Sequence, residues 1–161
     1  MTTAMIAGLS TGCAEAPAPG RCPSIDDPVI TLANRRGAAP LRDGDDVEVF
    51  PPPQGGVFTE LDIGIVGVPL EDLEQLHVTL DSSGSLGLLA SVRYLGSAMP
   101  MWCTDDDVLQ IDDLPIGLEE RFAMTDLPVL HGEAAVLEGV AQTRSGEVSV
   151  RYEVVLKWTE F

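Results

Sequence analysis

Carboxylates dominate the chemistry available to this chain. Of its 161 residues 26 are Asp or Glu, and two runs concentrate them: Asp43-Gly44-Asp45-Asp46-Val47-Glu48 and Thr104-Asp105-Asp106-Asp107. Hard oxygen donors gathered in loops suit calcium, which takes roughly six to eight oxygens in a flexible shell. Asp43, Asp45, Asp46, Asp105, Asp106 and Asp107 are therefore the metal candidates. Neither run follows the EF-hand order, since the Asp and Gly positions are out of sequence and no glutamate closes the loop. Aspartate also favours turns on its own account, because its side chain bonds nearby backbone N–H groups. A hydrolase of the glycosidase kind would use two carboxyls held at a fixed separation across a cleft. With so many acids some pair meets almost any distance, so abundance makes any one pair uninformative. Histidine adds little. His77 alternates with Leu76, Val78 and Leu80 and so faces solvent, and His131 precedes Gly132 in a loop. Without a second ligand nearby, each is a surface imidazole rather than a metal ligand or general base. No glycine-rich loop follows a strand and opens a helix, so nucleotide binding has no support. Gly8-Leu9-Ser10-Thr11-Gly12 matches the GxSxG pattern, but a nucleophile elbow needs a strand before it and a helix after it. No catalytic residue and no cofactor is assigned.

The three cysteines are more informative. Leu9-Ser10-Thr11-Gly12-Cys13 follows an uncharged stretch and resembles a bacterial lipobox, in which small residues precede a cysteine that is lipidated after cleavage. Leucine stands one residue further upstream than is usual in that motif. Ala14 to Gly20 is a Pro/Ala-rich stretch of the kind that holds a domain off a membrane. If Cys13 carries the lipid, Cys22 and Cys103 remain as an even pair in an oxidising compartment, and a disulfide between them is expected. The rival arrangement is three reduced thiols in the cytoplasm. No CxxC or Cys/His cluster is present, so zinc has no support.

Charge narrows the partners. Nine basic residues against 26 acidic ones leave a net charge of −17, and the only lysine is Lys157. Nucleic-acid binding rests on basic patches, so nucleic acid is excluded as a partner. Anionic membrane surfaces would repel the chain as well, which leaves a lipid at Cys13 as the route to a membrane. Before Cys13 there is no charged residue, so the acidity belongs to the domain that follows.

The elements that must position these residues are strands. Apolar residues make up 45% of the chain, enough for a core, while 12 Pro and 16 Gly argue against long helices. Val148, Val150, Tyr152, Val154, Leu156 and Trp158 alternate with Ser149, Arg151, Glu153 and Lys157, the signature of a half-buried strand. Thr143 to Gly146 reads as a hairpin turn, with Ala134 to Gln142 as the partner strand. Leu76, Val78 and Leu80 define another strand that ends at Asp81-Ser82-Ser83-Gly84, after which Leu86, Leu88, Ala90, Val92 and Tyr94 alternate again. Val57 to Val68, Val29 to Ala33, Val47 to Phe50 and Glu119 to Thr125 complete the candidate strands. Helical turns are expected at Leu70 to Gln75, and as a weaker option at Asp105 to Leu114. About seven to nine short strands at even spacing predict an all-β antiparallel sandwich, organised as a signal segment 1–12, a tether 13–24 and one domain 25–161.

Asp43-Gly44-Asp45 ahead of a short strand, and Pro53-Gln54-Gly55-Gly56-Val57-Phe58 opening a long one, resemble extracytoplasmic lipoproteins of the myxobacterial type. The resemblance covers about residues 25–160. It implies an immunoglobulin-like sandwich and a bacterial cell-envelope location, and no reaction. The expectation is therefore a non-enzymatic lipoprotein of the outer membrane or cell surface, or a secreted protein. It would bind an envelope protein or extracellular ligand, or serve as a structural module. A carboxylate-dependent hydrolase and a calcium-binding envelope protein are the alternatives. Pro51 to Gly56 and Ala98 to Asp107 are the candidate recognition loops.

Overall fold

A computed structural model describes residues 21–35, 39–51 and 56–158. The expected lipidation at Cys13, the segment 1–12, most of the tether, and Pro52 to Gly55 lie outside the described residues. The strands are β1 (Val29–Asn34), β2 (Asp45–Val49), β3 (Phe58–Val66), β4 (Leu73–Ser82), β5 (Leu88–Leu95), β6 (Trp102–Cys103), β7 (Val108–Gly117), β8 (Ala134–Thr143) and β9 (Gly146–Trp158). They form two sheets, ordered β1-β3-β7-β6 and β2-β9-β8-β4-β5. This is the immunoglobulin-like order, A-B-E-D against G-F-C with an added C′ strand, and the opening strand divided between the sheets. The core lies between them. Leu32, Leu61, Ile63, Ile65, Leu109 and Ile111 from one sheet meet Leu76, Val78, Leu80, Leu137, Val154 and Leu156 from the other, all buried.

Alternation put the apolar residues of β9 on the inner face, and the structure keeps them there, with Tyr152 and Trp158 half-buried against the core. Several expectations are corrected. The sandwich is not wholly antiparallel: β2 lies parallel to β9. The chain passes from one sheet to the other between Asn34 and Asp45 without reversing, so β2 arrives beside the last strand pointing the same way. Asp105 to Leu114 is not a helix, because Val108–Gly117 is strand β7. A bulge explains the confusion. The register with β3 shifts between Leu61↔Leu114 and Ile63↔Ile111, and Asp113 takes a left-handed φ of 49°. The extra residue spaces the inward side chains as Leu109, Ile111, Leu114 and Ile116, which imitates a helical stripe.

Glu119 to Thr125 is not a strand. It is a turn followed by 3-10 helix at Met124–Asp126 and one α-helical turn at Leu127–Leu130. The helical start expected at Leu70 to Gln75 is a single 3-10 turn, Leu70–Asp72, before β4 begins at Leu73. With a further 3-10 turn at Gly96–Ala98, the described residues hold more short helical turns than the one or two expected. In β5 Ala90, Val92 and Tyr94 face the core as expected, but Leu89 is buried beside them and Leu88 is exposed, because the register with β4 slips between Leu80 and Asp81.

Register fixes the two ends of the sandwich. Val29 opposes Val66 and Val66 opposes Val108, while Gln75 opposes Leu95 and Thr143 opposes Gly146. Residues 21–28, 67–72, 96–107 and 143–146 therefore share the end at which the described chain begins, hereafter the entry end. Residues 50–51, 56–57, 83–87 and 118–133 share the opposite end.

Candidate functional site

The entry end is assembled by one covalent bond and a few backbone contacts. Cys22 and Cys103 form the expected disulfide, with Cα atoms 5.6 Å apart. Cys22 is buried, so the chain joins the sandwich before residue 25. The bond ties the incoming segment to β6, both in or beside the first sheet. This differs from antibody-type domains, whose disulfide joins the two sheets. Arg21 donates its backbone N–H to Asp107 Oδ1 at 3.1 Å, and Ile25 donates to the Gly67 carbonyl at 3.2 Å. Gly67 has a left-handed φ of 83°, and any Cβ there would run into the Ile25 side chain. The sequence around this glycine is set by that approach as well as by the turn.

Two grooves flank the Thr143–Gly146 turn. One, of about 370 Å³, is lined by Ile25, Asp26, Pro28, Glu147 and Val148. The other, of about 420 Å³, is lined by Leu70, Leu73 and Met101 with Glu71 and Glu74. Arg144 belongs to the second groove and lies 3.7 Å from Asp72 Oδ1, a partly exposed pair of little energetic weight. Gly96 closes the floor. Its Cα faces the Leu73 carbonyl so closely that a Cβ would collide with that oxygen.

The acidic runs are distributed between the two sheets and serve separate partners. Asp43 Oδ1 accepts from the Glu153 N–H at 2.9 Å, and Asp45 Oδ2 accepts from the Arg42 N–H at 2.9 Å. Asp46 accepts from the Lys157 ammonium. In the second run, Thr104 and Asp107 build the β6–β7 turn: Asp107 N–H donates to the Thr104 carbonyl at 3.0 Å, and Val108 N–H to Thr104 Oγ1 at 3.2 Å. Asp107 also takes a left-handed φ of 60°, while Asp105 and Asp106 are exposed. Four of the six metal candidates thus accept hydrogen bonds from nearby backbone or side-chain donors. Among the described residues no group of three or more His, Cys, Asp or Glu side chains comes together in a way that could hold a metal ion.

The histidines are placed apart as well. His77 Nε2 is 3.0 Å from Ser91 Oγ on the outer face of the second sheet. His131 Nδ1 accepts the Trp158 N–H at 3.2 Å at the opposite end. Ionisation of two tyrosines responds to the fold. Burial raises the Tyr94 phenol above the ordinary tyrosine value, and its hydroxyl donates to the Pro115 carbonyl. Burial likewise raises Tyr152, opposed by a hydrogen bond with the Leu32 backbone and reinforced by the charge of Asp43.

Sequence patterns missed Arg121. It lies in the segment expected to be a strand, and its guanidinium donates to the Leu86 and Leu88 carbonyls at 2.6 Å each. Together with Glu119 N–H donating to the Leu89 carbonyl at 2.8 Å, it caps the open edge of β5. An exposed edge invites pairing with another chain, and this segment occupies its beginning, at Leu88 and Leu89.

No protein-family model matches the chain, and no curated protein matches it in sequence. Among solved structures, an engineered protein is similar at 15% identity and a TM-score of 0.43; the match covers 81% of this chain and 20% of that one. The CooA pilin subunit from enterotoxigenic Escherichia coli is similar at 8% identity and a TM-score of 0.38, over 82% of this chain and 99% of the subunit. This chain spans about a fifth of the engineered protein's length. The fold is defined by its own strand order and register, not by these likenesses.

Proposed function

We propose that the protein is a non-enzymatic module of a bacterial cell envelope, anchored by a lipid at Cys13 and displaying its sandwich outside the cytoplasm. The observation that carries this reading is the Cys22–Cys103 disulfide. A bond of this kind persists in oxidising compartments, and it removes two of the three cysteines from consideration. Cys13, behind its lipobox-like residues, is then the cysteine left for modification. Residues 14–20 could span at most roughly 25 Å, so the entry end would lie near the bilayer and the opposite end would face away. The negative charge of the domain would hold it off anionic lipid. In this setting the sandwich binds an envelope protein or an extracellular ligand through its end loops.

Metabolic palmitate labelling tests the anchor. Label should appear on the protein and vanish in Cys13→Ser. Label retained in Cys13→Ser would remove the anchor and the membrane location together.

A further inference from the structure

The outer face of the first sheet carries two uncharged rows of side chains near the entry end. Val29 pairs with Val66 and Val66 with Val108, so three valines cross β1, β3 and β7 side by side. Two positions along each strand, Thr31 pairs with Gly64, Gly64 with Gln110, and Gln110 with Trp102, which carries the second row onto β6. Cross-strand partners set their side chains on one face at about 5 Å, so register makes these rows continuous. Val29, Val66 and Trp102 are 39% to 52% exposed. The outer face of the second sheet is charged instead, with Arg93, Glu138, Glu147, Arg151 and Glu153 on it. Neutrality is thus particular to this one face in a chain of net charge −17.

The second row is hollow at its centre, because Gly64 has no side chain. Thr31 Oγ1 stands 3.0 Å from where a Cβ on Gly64 would lie, Val108 Cγ1 3.3 Å and Gln110 Oε1 3.7 Å. The hollow belongs to a groove of about 190 Å³ that crosses the strands from Pro40 and Ala33, over Asp62 and Gly64, to Gln110. Trp102 is the next side chain beyond Gln110 in that direction. Gln110 Nε2 donates to Asp112 Oδ1 at 2.7 Å, which fixes the amide with its oxygen toward Gly64. Thr31 Oγ1 donates to the Gly64 carbonyl at 3.2 Å. Asp62 is the one charged side chain lining the groove among the described residues. It is 6% exposed, and its Oδ1 accepts the Asp113 N–H at 2.9 Å.

Size and polarity decide between occupants. Four strands and two rows span roughly 19 Å by 14 Å, on the order of 300 Å². A stable protein interface takes about 800 Å² from each partner. A second copy would have to spread beyond the uncharged rows onto exposed acids such as Asp112, against their own like. A peptide strand adds through backbone groups, which a sheet offers at its edges and not on its face. A wholly apolar ligand would cover Gln110 and Thr31 without bonding them. The occupant that matches is uncharged, with hydroxyls around its rim and C–H groups on its flat sides, since an indole face is electron-rich and attracts such C–H groups. We infer that the Gly64 groove and Trp102 bind a neutral oligosaccharide, one sugar ring stacking on the indole while Gln110 and Thr31 bond hydroxyls in the groove. The inference names the ligand class for the proposed binding module and rests on that reading, though not on the lipid at Cys13.

The test uses the full protein carrying Trp158→Phe, so that emission reports Trp102, the other of its two tryptophans. The probes are cellohexaose, maltohexaose and chitohexaose, with an oligogalacturonate as the anionic control. At least one neutral probe should shift Trp102 emission, with a dissociation constant that salt leaves unchanged. Trp102→Ala, followed by titration calorimetry, and Gln110→Ala, followed by emission, should each raise that constant about tenfold or more. Leu95→Ser, on the outer face of the second sheet, should leave it unchanged. All three side chains lie at the surface, so far-ultraviolet circular dichroism and the melting temperature should match the parent protein. No response to any neutral probe, a response to the oligogalacturonate alone, or full affinity in both Trp102→Ala and Gln110→Ala would overturn the inference. So would equal weakening by Leu95→Ser. Self-association abolished by Trp102→Ala, with no saccharide response, would assign the face to a second copy instead. Palmitate label that depends on Cys13, combined with no saccharide binding, would leave the envelope reading standing and remove this one. Saccharide binding with label retained in Cys13→Ser would do the reverse.

Discussion

Breaking the Cys22–Cys103 bond should be the most costly single covalent change in this domain. The bond closes a loop of 81 residues in sequence. On the chain-entropy relation, removing such a link frees the unfolded chain by about 4.5 kcal/mol. Part of this is offset. Cys22 is held at a left-handed φ of 41°, which costs a non-glycine residue roughly 1 kcal/mol and is relieved once the segment is free. The net loss is therefore about 3.5 kcal/mol, a large share of the roughly 5–15 kcal/mol that holds a domain folded. Urea unfolding of the parent protein, with and without reductant, measures it directly, alongside the double variant Cys22→Ala/Cys103→Ala. Melting should fall by roughly 7–14 °C. The unfolded chain should also expand, so the denaturant slope should rise. A loss below about 1 kcal/mol, or an unchanged slope, would refute the assignment of the stabilisation to the unfolded state.

Three further outcomes follow from particular atoms. Gly96→Ala should destabilise the fold by about 2 kcal/mol in calorimetry, because the new methyl meets the fixed Leu73 carbonyl, whereas Gly117→Ala, with open space at its Cβ, should stay within about 0.5 kcal/mol. Thr59→Val should stabilise the protein by about 1 kcal/mol in the same measurement, since Thr59 Oγ1 is buried and finds no hydrogen-bond partner among the described residues. Raising the pH through the tyrosine range should weaken the fold. The folded state holds the Tyr94 proton to higher pH than the unfolded chain does, so this contribution is complete below about pH 10 and disappears above it. Tyrosinate absorbance followed with melting temperature should show the coupling, and Tyr94→Phe should diminish it; an unchanged alkaline limb in that variant would assign the loss to other groups.

Much of the architecture was legible in the order of residues. Alternation along β9 and β4, the Asp-Ser-Ser-Gly and Thr-Arg-Ser-Gly turns, and the count of cysteines predicted strands, a hairpin and a disulfide that the structure contains. These signals are local, since a strand with one buried face must repeat every second residue whatever its neighbours are. The pattern failed where a strand departs from that period. The bulge at Asp113 turned β7 into an apparent helix, and the slip between Leu80 and Asp81 exchanged Leu88 for Leu89 on the inner face.

The candidate surface was less legible than the fold. Ala98 to Asp107 was expected to be a recognition loop from its position between strands, yet nothing in its own residues joined it to Leu70 or Arg144, with which Met101 shares a groove. That neighbourhood depends on three chain segments arriving at one end of a sandwich, which is set by sheet order and register across the whole domain. The same holds for the parallel placement of β2 beside β9 and for Arg121 capping β5 from a distant segment. The sequence alone therefore determined which residues face inward along the regularly alternating strands such as β4 and β9, because there each residue's side is fixed by the strand's own pleat. Only the tertiary structure decided which exposed side chains share a surface, because that depends on which strands pair and on which end of the sandwich each connection falls.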